Sequence, residues 1–232
     1  MDILTKKIKI LDKIYNKYDE YVKGINLVCQ KGCSDCCTAN VVLTSLEAYK
    51  IINFIISNGF EDKLKILVNN LPQIRFNYKI TINTLAHLCS EKKQIPEEED
   101  NCNSSVCPFL NNNECLIYEA RPFGCRCLIS LASCKNKGYA EIDDFILTTN
   151  NVFLQYIEHI DVNGFTGNIF DLLKFLYEHK NYELYKKGKN LQAQGEKLLV
   201  NQPAKIFLIP REYQIQMEPY INYFHFLLSD SE

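Results

Sequence analysis

The sequence predicts a mainly α-helical protein with a small β-hairpin, in which a cysteine-rich core is followed by C-terminal helices. Three observations lead to this fold class. Apolar residues recur at helical spacing, most clearly near the N-terminus. A polar run, Asn111 to Glu114, separates two short apolar segments and is typical of a hairpin turn. The cysteines end at Cys134, after which the chain is rich in Phe, Tyr, Leu and Ile.

The N-terminal half begins with a predicted helix over residues 3–22, where apolar residues follow one helical face. Thr44 and Glu47 form the T-x-x-E sequence of a capping box, which predicts that a second helix begins there. Gly59 is suited to end that helix, because glycine readily adopts the left-handed conformation common after a helix C-terminus. A short third helix is predicted for residues 62–70.

The later segments give weaker local signals. Residues 76–90 fit either a strand or a helix, because apolar residues first alternate and then follow helical spacing. Residues 95–105 are polar and acidic and predict a solvated loop. Gly164 and Gly167, in the sequence DVNGFTGN, predict a turn. Further helices are predicted near residues 141–160, 167–180, 182–199 and 211–228.

The distribution of cysteines divides the chain into two parts. Residues 1–137 are predicted to form a cysteine-cluster metal-binding region together with the N-terminal helix, and residues 138–232 a cysteine-free helical region packed on it. A chain of 232 residues is long enough to bury a substantial core. We therefore expect a two-part organisation and not two independent domains.

Composition and charge limit the cellular compartments and the classes of partner that the protein can be expected to have. The formal net charge of −2 gives no basic surface, which argues against nucleic acid as the main partner. The apolar stretches are too short to span a bilayer, and the N-terminus does not resemble a signal peptide. We therefore expect a cytoplasmic protein without membrane association. In a reducing compartment, the 11 cysteines point to metal binding more than to disulfides.

The first cysteine cluster has the spacing Cys29-x3-Cys33-x2-Cys36-Cys37. A C-x2-C turn suits chelation, because it brings two thiolates together and leaves backbone N–H groups free to bond their sulfurs. Adjacent side chains of an extended segment point to opposite sides. Cys36 and Cys37 are therefore not expected to bind one zinc ion together with Cys33. One of the pair would serve a second centre or take no part.

The second cluster runs from Cys107 through Cys115, Cys125 and Cys127 to Cys134. The predicted hairpin would bring Cys107 close to Cys115. The predicted metal ligands are Cys29, Cys33, Cys36, Cys37, Cys107, Cys115, Cys125 and Cys127. All-thiolate ligation favours zinc or an iron–sulfur cluster over magnesium and calcium.

The sequence also suggests roles for the cations near the clusters, for the histidines and for the remaining cysteines. Four thiolates on one zinc leave two excess negative charges, which nearby cations should offset; the candidates are Lys31, Arg121, Arg126 and Lys135. The histidines are expected to be surface or core residues: His87, His159, His179 and His225. Cys89 is expected to be a small core residue. The roles of Cys102 and Cys134 stay open.

The segments CQKGCSDCC, LTSLE and CPFLNNNECLIYEARPFGCR resemble the CxxCxxCC or YkgJ-like cysteine-cluster family, described as a zinc- or iron-chelating domain. Flagellin lysine N-methylases contain a related domain. The resemblance covers residues 29–127 and implies metal chelation, with Arg121, Pro122 and Arg126 on the family's RPxxCR element. The cysteines that match the family are Cys29, Cys33, Cys36, Cys37, Cys107, Cys115 and Cys125.

These observations leave more than one function open. The chain is expected to be a cysteine-ligated metal-binding protein with a structural or redox centre. The alternative is a metal-dependent enzyme that modifies a protein, such as an S-adenosylmethionine-dependent lysine N-methylase, although no glycine-rich nucleotide fingerprint is present. A third possibility is an adaptor that uses C-terminal aromatic residues, for which a core position is favoured: Tyr213, Tyr220, Tyr223, Phe224 and Phe226.

Overall fold

The computed structural model describes residues 2–97, 105–193 and 197–229. About 53% of the described residues are helical and 7% are in strands, so the predicted mainly α class with a small β element is confirmed. Cys102 and most of the predicted acidic loop lie outside the described residues. None of the described helices is both long and apolar enough to cross a membrane.

The elements follow in this order along the chain. The helices are α1 (Ile3–Lys23), α2 (Ser45–Ser57), α3 (Glu61–Asn69), α4 (Ile82–Ser90), α5 (Phe123–Arg126), α6 (Cys134–Lys137), α7 (Asp144–Ile160), α8 (Ile169–Tyr177), α9 (His179–Lys186) and α10 (Gln214–Ser229). The strands are β1 (Val42–Thr44), β2 (Leu110–Asn111), β3 (Glu114–Cys115), β4 (Phe165–Asn168) and β5 (Leu198–Val200).

The capping box of α2 is present as predicted. The hydroxyl of Thr44 accepts a hydrogen bond from the Glu47 N–H at 3.4 Å, and the Glu47 carboxylate accepts one from the Thr44 N–H at 2.8 Å. These bonds satisfy N–H groups that have no partner inside the helix. Gly59, with φ of 73°, follows the C-cap residue Asn58 and ends the helix as predicted.

A three-stranded antiparallel sheet, ordered β1–β4–β5, is a feature that the sequence did not predict. The turn predicted over DVNGFTGN is wrong from Phe165 onward, because Phe165–Asn168 is the middle strand. At Gly167 a Cβ atom would lie 2.8 Å from the Leu198 side chain, so glycine permits the close approach of β5. The helix predicted over 182–199 ends at Lys186, and residues 76–90 are helical only within α4.

One hydrophobic core joins the two halves of the chain. Helix α2 packs on α8, and α1 packs on α7. Phe123, from the second cysteine cluster, is fully buried and stacks on Phe153 of α7 with ring centroids 5.7 Å apart. Phe224 of α10 meets the same Phe153 ring edge-on at 4.9 Å. The C-terminal aromatic residues thus pack mainly in or against the core, and Phe226 is the exposed member of that group.

A buried carboxylate, Asp161, lies beside the start of α2. It accepts hydrogen bonds from the Leu46 N–H at 3.1 Å and from the Tyr185 hydroxyl at 2.6 Å. Burial raises the pKa of Asp161 to about 7, although the ammonium of Lys7, 3.8 Å away, opposes this rise. The folded protein therefore retains a proton on this group over a range in which the unfolded chain has lost it.

This proton predicts a pH-dependent contribution to stability. Because the folded-state pKa is higher than the ordinary 3.8, the contribution of Asp161 to the free energy of unfolding is largest below pH 4. It should fall as the pH rises from about 4 to about 7. Urea unfolding across this range should show the wild-type free energy declining relative to that of Asp161→Asn. A constant difference between the two proteins would contradict the raised pKa.

Candidate metal centre

The two cysteine clusters meet at one pocket of about 380 Å³. Cysteines from both clusters line it: Cys29, Cys33, Cys36, Cys37, Cys107, Cys115 and Cys125. These are the predicted ligands with the exception of Cys127. The fold thus brings together two segments that are far apart in sequence, and the cysteines of both segments line the same pocket.

Backbone pairing holds the end of the first cluster against the start of the second. The Cys107 N–H donates to the Cys37 carbonyl at 3.0 Å. Thr38 and Val106 form an antiparallel bridge, and the Ala39 N–H donates to the Ser105 carbonyl at 2.7 Å. Cys37 and Cys107 are therefore neighbours by backbone geometry, whatever their side-chain rotamers.

The predicted hairpin presents Cys115 to the same place. Strands β2 and β3 pair Leu110 with Cys115, and the turn residues Asn112 and Asn113 have φ of 49° and 63°. Asparagine tolerates this left-handed conformation better than most residues, which explains the NNNE sequence. The Leu110 N–H also donates to the Cys107 carbonyl at 2.9 Å. Cys107 and Cys115 thus flank one tight structural unit.

Cys125 lies on the short helix α5, which is anchored from behind by Glu47. One carboxylate oxygen of Glu47 accepts hydrogen bonds from the Phe123 N–H and from the Tyr15 hydroxyl, both at 2.7 Å. The Glu47 side chain is 2% exposed. The sequence predicted this residue only as a helix cap. Its second role depends on a contact between residues 76 positions apart, for which no local signal exists.

The cations predicted near the site take different positions. The Arg121 guanidinium lies 3.9 Å from the centroid of the Tyr118 ring, and the Lys31 ammonium lies 5.8 Å from the same centroid. All three residues line the pocket. Arg126 stacks on Tyr15 at 4.4 Å and pairs with Asp19 at 3.2 Å, so it also stabilises the base of the second cluster. Lys135, on α6, is exposed and does not line the pocket.

Four of the thiols form a mutually interacting group, here called the inner tetrad: Cys37, Cys107, Cys115 and Cys125. Each member lies near enough to the other three for their thiolates to repel. Burial raises the pKa of Cys107 to about 11, and burial together with the neighbouring thiolates raises that of Cys125 well above its ordinary value. Removing four protons from such a group requires a compensating positive charge.

Backbone N–H groups are directed at two sulfurs of the inner tetrad. The Phe109 N–H hydrogen-bonds the Cys107 sulfur and opposes the effect of burial on its pKa, and the Leu110 N–H, which donates to the Cys107 carbonyl, adds a smaller effect in the same direction. The Ile117 N–H does the same for Cys115, assisted by the charge of Arg121. N–H groups that follow a cysteine and point back at its sulfur stabilise the thiolate, the form that binds metals. The donor set therefore fits zinc or an iron–sulfur cluster chemically.

Cys36 and Cys37 correct one sequence expectation. Residues 34–37 form a turn closed by the Cys37 N–H and the Ser34 carbonyl at 3.0 Å. The Cys36 thiol hydrogen-bonds to Cys37 and lowers the pKa of Cys37. The expectation that these side chains point to opposite sides is therefore wrong, because it assumed an extended segment.

Three of the described cysteines do not line the pocket: Cys89, Cys127 and Cys134. The Cys127 thiol donates to the Gly124 carbonyl at 3.6 Å, and burial raises its pKa to about 12. Its predicted role as a ligand stays a prediction. Cys89 is exposed, so its predicted core position is wrong. Helix α4 buries Asn83 and Ala86 instead, because Asn83 donates from its side chain to the Gln155 carbonyl at 3.0 Å.

The histidines occupy other surroundings. His87 is exposed and lies 3.5 Å from Glu91, and His159 accepts a hydrogen bond from the Ala204 N–H at 3.2 Å. Across residues 2–97, 105–193 and 197–229, no three Cys, His, Asp or Glu side chains lie close enough together to hold one ion. Shared coordination would therefore require rotation of thiol side chains about their Cα–Cβ bonds.

Comparison with family models, with curated proteins and with solved structures finds no match for this chain. The relation to the CxxCxxCC family therefore stays a prediction based on the cysteine motifs. The possibility of a lysine N-methylase stays a prediction as well.

Proposed function

We propose that this protein binds a metal, as zinc or as an iron–sulfur cluster, through cysteine thiolates. The observation that carries the proposal is the inner tetrad, in which four thiols from three separate segments meet at one pocket. Cysteines that serve only packing have no need of N–H groups directed at their sulfurs. The resemblance of the motifs to a zinc- or iron-chelating domain supports the same chemistry.

The chain's own residues would supply three things to such a centre. The tetrad provides soft ligands, which zinc and iron–sulfur clusters prefer. The N–H groups of Phe109, Leu110 and Ile117 would reduce the negative charge on two of the sulfurs. Arg121 and Lys31 at the pocket lining would offset the excess charge of a tetrathiolate centre. A bound metal would then join segments that are distant in sequence and stabilise the fold.

The metal content of the purified protein tests this function. After anaerobic purification we expect stoichiometric zinc without visible absorption, or iron with acid-labile sulfide and broad visible absorption. Cys107→Ser and Cys115→Ser should each lower the metal content severalfold. Cys89→Ser is the matched control, because this exposed thiol on α4 does not line the pocket.

The result that overturns the proposal is equally direct. If reduced wild-type protein contains no metal and binds neither zinc nor iron when these are supplied, the tetrad is not a metal site. Equal metal loss in Cys89→Ser would show that the loss does not report on the tetrad.

A further inference from the structure

A second group of thiols lies at the outer part of the same region, and we call it the outer set: Cys29, Cys33, Cys36 and Cys134. Cys33 is exposed, and the other three are half-buried. Cys33 is thus more accessible to solvent than any thiol of the inner tetrad, all four of which are half-buried. Its members come from both sequence clusters, and Cys134 was left without a role by the sequence.

A turn brings the first two members together. The Cys33 N–H donates to the Gln30 carbonyl at 3.0 Å, and Gly32 inside this turn has φ of 92°. A side chain at this φ would strain the backbone, so glycine allows the chain to reverse between Cys29 and Cys33. Both residues line the pocket.

Ser130 connects Cys29 to the segment that leads to Cys134. The Val28 N–H donates to the Ser130 carbonyl at 3.1 Å, and the Ser130 N–H hydrogen-bonds the Cys29 sulfur. The buried Ser130 hydroxyl donates to the Ala132 carbonyl at 2.6 Å and accepts from the Glu141 N–H at 2.9 Å. These bonds fold the loop before α6 back on itself, and α6 begins at Cys134.

The electrostatic surroundings of Cys29 agree with this geometry. Burial raises the pKa of Cys29, the Ser130 N–H opposes the rise, and repulsion from Cys134, Cys33 and Cys36 adds to it. None of these three neighbours belongs to the inner tetrad. Within the outer set Cys36 lies closest to the inner tetrad, because its thiol hydrogen-bonds to Cys37.

We propose that the outer set forms a second thiolate site for a soft metal ion such as zinc, separate from the inner tetrad, with Cys134 as a ligand. A tetrahedral centre takes four thiolates, so one such centre cannot use all the thiols that meet here. The second site rests on the proposed function, because it assumes that thiols at this pocket bind metal. It assigns a role to Cys134 that the resemblance did not secure.

Titration with cobalt(II) tests the second site. Cobalt(II) replaces zinc in tetrahedral sites and absorbs visible light in proportion to thiolate ligation. The reduced, metal-free purified chain should bind two equivalents. Cys134→Ser and Cys29→Ser should each bind about one, as should Cys115→Ser from the inner tetrad. Cys89→Ser should retain two.

Each other outcome has a defined meaning. Binding of one equivalent by the wild type overturns the second site and leaves the proposed function standing. Two equivalents retained by both Cys134→Ser and Cys29→Ser overturn the assignment of these residues. No cobalt binding by the folded wild type overturns the second site and also excludes zinc at the inner tetrad, which leaves only the iron–sulfur form of the proposed function. The use of two outer variants guards against the case in which one of them fails to fold.

Discussion

Substitution of Glu47 by alanine should cost at least about 3 kcal/mol of the free energy of unfolding. The carboxylate is 2% exposed and accepts hydrogen bonds from the Tyr15 hydroxyl, the Phe123 N–H and the Thr44 N–H. Alanine would leave these donors buried without a partner, and each unsatisfied donor costs about 1–3 kcal/mol. For a protein with an ordinary stability of about 5–15 kcal/mol, this is a large fraction.

Urea unfolding compares this variant with two others. Glu20→Ala removes a carboxylate that is 64% exposed on α1 and should change stability by less than about 0.5 kcal/mol. Glu47→Gln keeps one oxygen acceptor but places an amide donor in the cap, so its stability should be intermediate. Under the proposed function, Glu47→Ala should also lower the metal content, because Phe123 holds α5 and Cys125 in place. Equal stability of Glu47→Ala and Glu20→Ala would contradict the anchoring role.

Local chemistry explains why the helices and the hairpin could be predicted. The capping box of Thr44 and Glu47 spans four residues, and the turn at Asn112 and Asn113 depends on their own conformational preferences. Strand β4 lacks such a signal. All four of its residues are buried, so the strand has no solvent-facing side that would produce alternating apolar and polar residues. Its partner strands β1 and β5 also come from distant parts of the chain.

In the candidate site, too, the features with a local sequence signal could be predicted and those that depend on distant contacts could not. The spacing of the cysteines predicted which residues gather, and seven of the predicted ligands line one pocket. The contacts that bring the clusters together could not be predicted, since they join distant residues. Asn168, for example, donates from its side chain to the Ala39 carbonyl at 2.8 Å. Cys89 shows the converse: helical spacing suggested a core position, but buried polar contacts of Asn83 orient α4 differently.

Substitution of Gly124 by alanine should destabilise the protein, because the added Cβ atom would overlap with β1, on which α5 rests. A Cβ atom at this position would lie 2.4 Å from the Val42 carbonyl oxygen and 3.2 Å from the Val41 side chain. Val42 belongs to β1 and pairs with Asn168 of β4, so its carbonyl cannot move without disturbing the sheet. We expect a loss of about 3 kcal/mol, at the upper end of the usual cost of overpacking.

Gly24→Ala is the matched control, because a Cβ atom there would lie 3.4 Å from the Tyr21 carbonyl oxygen and the residue has φ of −81°. Its stability, measured by urea unfolding, should stay within about 0.5 kcal/mol of the wild type. The argument that Gly124 permits α5 to lie against β1 fails if the two variants unfold at the same urea concentration. If Gly124→Ala is destabilised but retains its full metal content, the contact of α5 with β1 is not needed to hold Cys125 in the inner tetrad.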